Sequence, residues 1–581
     1  MNPISKWLLA ISLCVLFLGA TVAQSQETCP GEFEPISAAD FVSALSPGWN
    51  LGNSLDAVED EGDWNNPPVE EVTFDDIKAA GFKSVRLPVT WAYHFTGSSN
   101  TGDSPDWTVN PEWLQRVADV VEMITSRDLY TIVNVHHDSW VWADVTVEGA
   151  NITMIEEKFY RLWYQIGTKL ACVSSRVAFE SINEPPGDTE EHATEINKLN
   201  GIFLQAINDA GGFNPQRVVN LVGPGQDSIK TSQFFKLPDV NFTNPYAIQF
   251  HYYSPYDYVF GAWGKTIWGS DDDKAALDLD FSNIRNNFTD TPLILGEWLP
   301  SPVHTETAAR WKYFDFLTTT ARNYDIANIM WDNGNDLFDR AAHVFRDPTA
   351  VDILFQASAG VKNSLPDSTV DINAAEQFSS AYAFHKFGDE VADQTLPFLL
   401  NRNVVASIID GSTELTKGGD YEVAGGNIVL KSAFLSRYFS PTETPGIKTT
   451  LTVSFSAGAS IQIQLVVWDA PTLESNTSKA VPGADLVVPV TWNGVGKPAT
   501  MAAFKENGTI LVDDWTMWLG PLQQGRTTFN SQWGWDWGRE SITITAAAID
   551  LVIAGGQPTT FMIEAYPRVP GNSVNYTLTV E

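Results

Sequence analysis

Two glutamates sit where a pair of carboxyl groups could do acid–base and nucleophilic work. The stretch Phe179-Glu180-Ser181-Ile182-Asn183-Glu184-Pro185 ends an apolar, strand-like run (Val177 to Ile182) in an Asn-Glu pair, and Pro185 and Pro186 then break the chain. Leu293-Ile294-Leu295-Gly296-Glu297-Trp298 has the same grammar, an apolar run ending in a lone glutamate. A strand pattern stopped by prolines puts Glu184 at a strand's C-terminal lip, the edge where parallel α/β barrels carry their chemistry. Two carboxyl groups on two such lips are the minimum set for breaking a glycosidic bond: one lends a proton while the other attacks. Acid–base and nucleophilic catalysis suffice for an acetal, so no metal or organic cofactor is expected. No Cys/His cluster has metal-ligand spacing.

The elements that must position this pair are readable around it. From residue 47 to about 335, short apolar runs alternate with longer amphipathic segments such as Trp113 to Thr125, Ile155 to Leu170 and Ala308 to Tyr324. Candidate strands lie at Gly48–Leu51, Ser84–Leu87, Ile132–Val135, Val177–Glu180, Val218–Leu221, Ile248–Phe250, Leu293–Leu295 and Ile329–Trp331. Eight strands with helices between most of them predict a closed (β/α)₈ barrel. No glycine-rich phosphate loop follows any of them, which argues against a dinucleotide fold. Almost every strand delivers a polar or aromatic residue at its C-terminal end: Asn53, Arg86, His136 with His137, Asn183 with Glu184, His251 with Tyr253, Glu297 and Trp331. Trp140, Trp142, Trp263 and Trp268 follow strand ends and are candidate platforms for sugar rings.

Near residue 376 the helical periodicity fades, and short alternating strands broken by Gly, Asn and Asp take over. The expected division is a leader at 1–23, the barrel at 24–375, and two all-β sandwiches at 376–478 and 479–581. The last unit is dense in tryptophan (Trp515, Trp518, Trp533, Trp535, Trp537). With no low-complexity linker between them, the three units are expected to pack closely.

The chain has 581 residues and a net charge of −36, from 71 acidic against 35 basic side chains. That field repels phosphates, so a nucleic acid or anionic membrane is an unsuitable partner, whereas a neutral polymer feels no repulsion. Its 21 tryptophans suit the apolar faces of sugars. Lys6, the apolar run Trp7 to Ala20 and the small residues Thr21-Val22-Ala23 read as a secretory leader. The mature chain is therefore expected to be extracellular, soluble and monomeric. Six Asn-x-Ser/Thr sequons, at Asn151, Asn241, Asn287, Asn476, Asn507 and Asn575, suit an exported glycoprotein. Cys14 leaves with the leader, so Cys29 and Cys172 could pair in an oxidising compartment.

Together, Gly48-Trp49-Asn50-Leu51-Gly52-Asn53, Arg86-Leu87-Pro88-Val89, Val135-His136-His137-Asp138, Asn183-Glu184-Pro185, His251-Tyr252-Tyr253, Gly296-Glu297 and Met330-Trp331-Asp332 resemble the glycoside hydrolase family 5 cellulases. The likeness spans residues from about 35 to 375. It implies a retaining endo-β-1,4-glucanase acting on cellulose, mixed-linkage glucan or xyloglucan of the plant cell wall, with no cofactor. A mannanase or xylanase would share the chemistry, and a non-catalytic polysaccharide-binding protein is the remaining alternative. The resemblance makes Glu184 the acid/base, which requires a raised pKa, and Glu297 the ionised nucleophile, held by Arg86 and Tyr253. It places Asn183 on the sugar 2-hydroxyl, His251 beside Glu184, His136 on a neighbouring hydroxyl and Trp331 under the ring. Glu180, Asp138 and Asp332 are expected to orient other groups. Residues 396 to 435 resemble the immunoglobulin-like X2 module of cellulases. The last unit resembles, by order and tryptophan content, a family 46 carbohydrate-binding module, in which Trp533, Trp535 or Trp537 would extend the cleft.

Overall fold

The computed structural model describes residues 29–96, 107–512 and 523–580. The leader expected at 1–23, and Trp515 and Trp518, lie outside the described residues. Eight parallel strands close into a barrel in chain order: β1 (Gly48–Asn50), β2 (Ser84–Leu87), β3 (Tyr130–Asn134), β4 (Val177–Glu180), β5 (Val219–Asp227), β6 (Tyr246–His251), β7 (Leu293–Glu297) and β8 (Ile326–Met330), with β8 returning to β1. Each of the eight expected strands is present. Most of their residues are buried, because helices cover the outside and side chains fill the inside.

The helices form where the apolar spacing demands them. Ile152–Lys169 buries Ile155, Phe159, Leu162, Trp163 and Ile166 on one stripe, and the Asn151 side chain caps its start by accepting the Met154 N–H. A short helix, Ala38–Leu45, capped by Ser37, inserts Phe41, Val42 and Leu45 against Ala178, Ala247, Ile294 and Ala327. Each of those four is the second residue of its strand. The helix therefore stoppers the barrel at the end opposite the strand C-termini.

Behind the barrel stands a β-sandwich. A four-stranded sheet (Leu365–Pro366, Gln394–Leu399, Asn427–Leu430, Tyr421–Ala424) faces a five-stranded one (Tyr382–Lys386, Ile461–Trp468, Gly446–Phe455, Val405–Asp410, Thr413–Glu414). The third unit has a four-stranded sheet, built on Pro498–Lys505, Thr559–Ala565 and Ser573–Thr579 with Thr477–Lys479 at its edge, and a three-stranded one. In the sequence, Ser541 to Ala547 reads as one continuous strand. The strand instead stops at Ile544, and Thr545 caps a helix, Ala546–Gly555. The three alanines opening that helix prefer it to extended backbone.

The three units are joined by contacts rather than by linkers. Lys497 of the third unit donates to the carbonyls of Pro302 (2.8 Å) and Thr305 (3.1 Å) in the loop after β7. Arg568 donates to the Gly264 carbonyl (2.9 Å), and Trp537 Nε1 to that of Asn335 (2.9 Å). Val303, from the same β7 loop, is buried in the third unit's own core. Gly264 has φ +71°, and a Cβ there would stand 2.3 Å from Arg526 Cδ, so only glycine permits this approach.

Cys29 and Cys172 are joined by a disulfide that closes a separation of 143 residues. A loop that long restricts the unfolded chain strongly. Cys172→Ser is expected to lower stability by about 2–5 kcal/mol, read as a fall in denaturation midpoint under non-reducing conditions. An unchanged midpoint would show that the bridge contributes nothing to the fold.

Candidate functional site

The C-terminal lips of the strands open into a cleft of about 980 Å³. His136, His137, Asn183, Glu184, His251, Tyr253, Glu297 and Trp331 all line it. Beneath them lies Arg86, fully buried on β2. Its Nε and one terminal nitrogen grip Glu180 at 2.7 Å each. The remaining donors reach Asn50 Oδ1 (3.0 Å), Asn183 Oδ1 (2.8 Å) and Glu297 Oε1 (2.5 Å). Burial works against this charge, but Glu180 and Glu297 outweigh it and raise the guanidinium's pKa. Glu180 is held below the usual carboxylate range, because Arg86 overcomes its burial.

Glu297 ends β7 with its second oxygen accepting the Tyr253 hydroxyl (3.0 Å). Tyr253 stays protonated, its pKa pushed well up by burial and by the Glu297 charge. Glu184 leaves β4 through a left-handed residue, φ 39°, and its N–H donates to Gln226 Oε1 (2.7 Å). Gln226 in turn donates to Glu180 (3.2 Å), so the turn that aims Glu184 is tied to the Arg86 network. His251 Nδ1 bridges the pair, 2.7 Å from Glu184 Oε1 and 3.7 Å from Glu297 Oε2. Carboxylate oxygens of Glu184 and Glu297 lie within 4.8 Å of each other. That is the short spacing of a nucleophile and proton donor, too tight to seat a water between two carboxylates as single-displacement hydrolysis requires.

The protonation order differs from the expected one. Burial opposes ionisation of Glu184, yet the His251 hydrogen bond and charge hold its carboxyl below the ordinary value in the open cleft. Burial pushes Glu297 up, against the pull of His251 and Arg86. The two carboxyls therefore titrate as a pair rather than one by one. Glu184 keeps 42% of its side-chain surface exposed. A chain lying over it would remove that solvent and raise its pKa. The histidines on the other wall are neutral: burial, with the Arg86 charge nearby, pushes His136 well down, and burial lowers His137 to about 4.

Trp331 lies parallel to His136, 6.1 Å between ring centres at 5°. A Cβ on Gly52 would stand 2.6 Å from the Trp331 ring, which is why the loop after β1 needs glycine there. Asn53 does not line the cleft. Its Nδ2 donates to Asn65 (2.7 Å), pinning the loop after β1 instead. Asp138 accepts from Trp91 and Trp142, and Asp332 from Trp49, Gly334 and Phe338, both orienting neighbours as expected.

Of the four tryptophans expected as platforms, Trp140 lines the cleft and is 60% exposed. Trp268 is fully buried against Tyr313 and Phe316. Trp142 is held by Asp138 and covered by Lys158, and Trp263 lies outside the lining. Position after a strand end does not say which way an indole turns. Sequence reasoning missed Gln226, because β5 runs on through Gly223-Pro224-Gly225 before it. It also missed Trp64, whose ring lies 5.4 Å from His137, itself 4.5 Å from Trp140. The third unit supplies Phe529, Asn530 and Trp535 to the cleft wall. Trp533 is buried in that unit's core, and Trp537 points its N–H at Asn335.

Residues 48–337 match the family described as Cellulase (glycosyl hydrolase family 5), and residues 377–465 match Carbohydrate binding domain X2. Endoglucanase B of Paenibacillus lautus is 26% identical over 545 residues, spanning 90% of each chain. A xyloglucan-specific endo-β-1,4-glucanase of Bacteroides ovatus is 26% identical over 347 residues, 52% of this chain and 67% of that one. The solved tri-modular family 5 (subfamily 4) endo-β-1,4-glucanase of Bacillus licheniformis, complexed with cellotetraose, superposes with a TM-score of 0.81 at 32% identity, covering 94% of this chain and 100% of that one. A carboxylate pair at the mouth of this barrel, with a likeness that covers 94% of the chain, makes the chain a hydrolase of the endo-β-1,4-glucanase type, a member of glycoside hydrolase family 5 carrying an X2 domain.

Proposed function

We propose that the protein is an exported enzyme that cuts internal β-1,4-glucosidic bonds of plant cell-wall glucans, xyloglucan included, with retention at the sugar carbon. The observation that carries this reading is the spacing of Glu184 and Glu297, within 4.8 Å across an open cleft. In the first step Glu184 gives its proton to the glycosidic oxygen. Glu297 attacks the sugar carbon from the other face and forms a glycosyl-enzyme ester. In the second step Glu184 takes a proton from water, which displaces Glu297 and restores both carboxyls. Arg86 and Tyr253 hold Glu297 in its attacking orientation. Asn183 gives its Oδ1 to Arg86, which leaves its amide N–H₂ for the sugar 2-hydroxyl. Neutral His136 and His137 hydrogen-bond further hydroxyls, and Trp331 forms the floor.

Branched chains need room, and the cleft is wide, with a wall supplied by a separate unit. The likeness to a xyloglucan-specific relative supports xyloglucan as one of these chains. The X2 sandwich acts as a spacer that fixes the third unit's position, and the third unit is of the family 46 type. Export is supported by the leader pattern at 1–23 and by the Cys29–Cys172 disulfide.

Glu297→Gln is expected to lower kcat by at least about 10³-fold on carboxymethylcellulose while leaving polysaccharide retention intact; activity within tenfold of the parent would refute the nucleophile assignment. His251 lowers the pKa of both carboxyls. His251→Asn should therefore move both limbs of the kcat/KM profile to higher pH. The acid limb moves because Glu297 then ionises at a higher pH, and the basic limb because Glu184 keeps its proton longer; a profile that stays in place would show that His251 does not set them. Trp535→Ala should cut kcat/KM on xyloglucan by up to about tenfold, and on carboxymethylcellulose less. Equal losses on both would remove the third unit from substrate choice.

A further inference from the structure

Asn134, the last residue of β3, is fully buried, and both ends of its side-chain amide are engaged. Its Oδ1 accepts the Val89 N–H (3.1 Å). That bond fixes which way the amide lies, because a flipped amide would set its N–H₂ against the Val89 N–H. Nδ2 is then left facing Glu180 Oε1 at 3.4 Å and His136 Nδ1 at 3.0 Å. An amide nitrogen only donates, so His136 Nδ1 is the acceptor and carries no proton. A ring turned over would put a carbon against that N–H and leave it buried and unpaired. The backbone is held from the same side, the His136 N–H donating to the Val89 carbonyl (2.8 Å).

Burial keeps this imidazole neutral. A neutral ring has one proton, and with Nδ1 accepting it sits on Nε2. His136 lines the cleft, and its Nε2 has no hydrogen-bond partner among the described residues. The Nε2 atoms of His137 and His251 are shut away without a partner, whereas that of His136 keeps its access to the cleft. An Nε2–H has no lone pair to offer. It donates to an oxygen and takes no proton from one, so the ring does not compete with Glu184 for the proton that catalysis moves. The same point bears on metals. Asp56, His136 and His137 bring ligand atoms within 4.8 Å of one another, close enough to hold an ion. A protonated Nε2, and an Nδ1 already facing an amide N–H, leave His136 nothing to coordinate it with.

We infer that Asn134 is a positioning residue that fixes His136 as an Nε2–H donor, so that this wall of the cleft reads a sugar hydroxyl only as a hydrogen-bond acceptor. That the acceptor is a sugar rests on the functional reading above, which hydrolysis by the parent enzyme tests separately; the tautomer is read in the free protein. The experiment is nitrogen NMR of the full-length protein labelled at its histidine rings, where protonated and unprotonated ring nitrogens resonate far apart, with His136→Gln identifying the signal by its loss. The expected result is a protonated Nε2 and a bare Nδ1; a bare Nε2, or a ring protonated on both nitrogens, would overturn the inference. Asn134→Asp replaces the donor by an acceptor. It is expected to move the proton to Nδ1 and to lower kcat/KM on carboxymethylcellulose by about 10- to 100-fold. Asn134→Ala, which sets no second carboxylate beside Glu180, is the second variant, with the proton expected to be shared between the two nitrogens. A proton that stays on Nε2 in whichever variant folds, with activity kept or lost, would make Asn134 a packing residue only. A moved proton with kcat/KM within about twofold of the parent would overturn the donor's part in the cleft.

Discussion

The guanidinium of Arg86 is the constraint on which the site depends. It is fully buried and spends its donors on Glu180, Glu297, Asn183 and Asn50, drawn from β4, β7, the turn after β4, and β1. A buried carboxylate without a partner costs several kcal/mol, and breaking such a network typically costs about 3–5 kcal/mol. That energy fixes the relative height of the strands whose ends hold the reacting groups. Glu180 is not a reacting group itself. It anchors the cation and, through Gln226, the backbone of Glu184. One ion network thus sets both the charge environment of Glu297 and the aim of Glu184.

His251 adds adjustability to this rigid frame. Its ring nitrogen lies close to both carboxylates and lowers the proton affinity of each. Glu184 is the more exposed of the two, so its proton affinity is the one a covering chain can alter.

The barrel was legible because its rule is geometric. Eight apolar runs with helical segments between them leave few topologies, and a polar group at each C-terminal lip must face one mouth. Glu184, Glu297, Arg86, His251 and Tyr253 followed from that rule alone. Asn53 followed the same rule but is not among the cleft-lining side chains; its amide holds Asn65 instead. Trp268 and Trp142 failed because an indole after a strand end packs inward or outward according to neighbours that are distant in sequence. The order of the carboxyl pKa values was not legible either, since it depends on a nitrogen 2.7 Å away, across 67 positions of chain. Phe529, Asn530 and Trp535 reach the cleft only through tertiary docking, for which tryptophan content gives a hint and no direction.

Val303 belongs by sequence to the loop after the strand bearing Glu297, yet its side chain is part of the third unit's interior. The rearmost module is therefore no detachable bead that could be shuffled onto another hydrolase and carry its contribution along. Its folding borrows a residue from the catalytic barrel, and the loop beside the nucleophile borrows its cover in return. A change on either side of that contact, at Val303 or among the core side chains around it, alters both units at once.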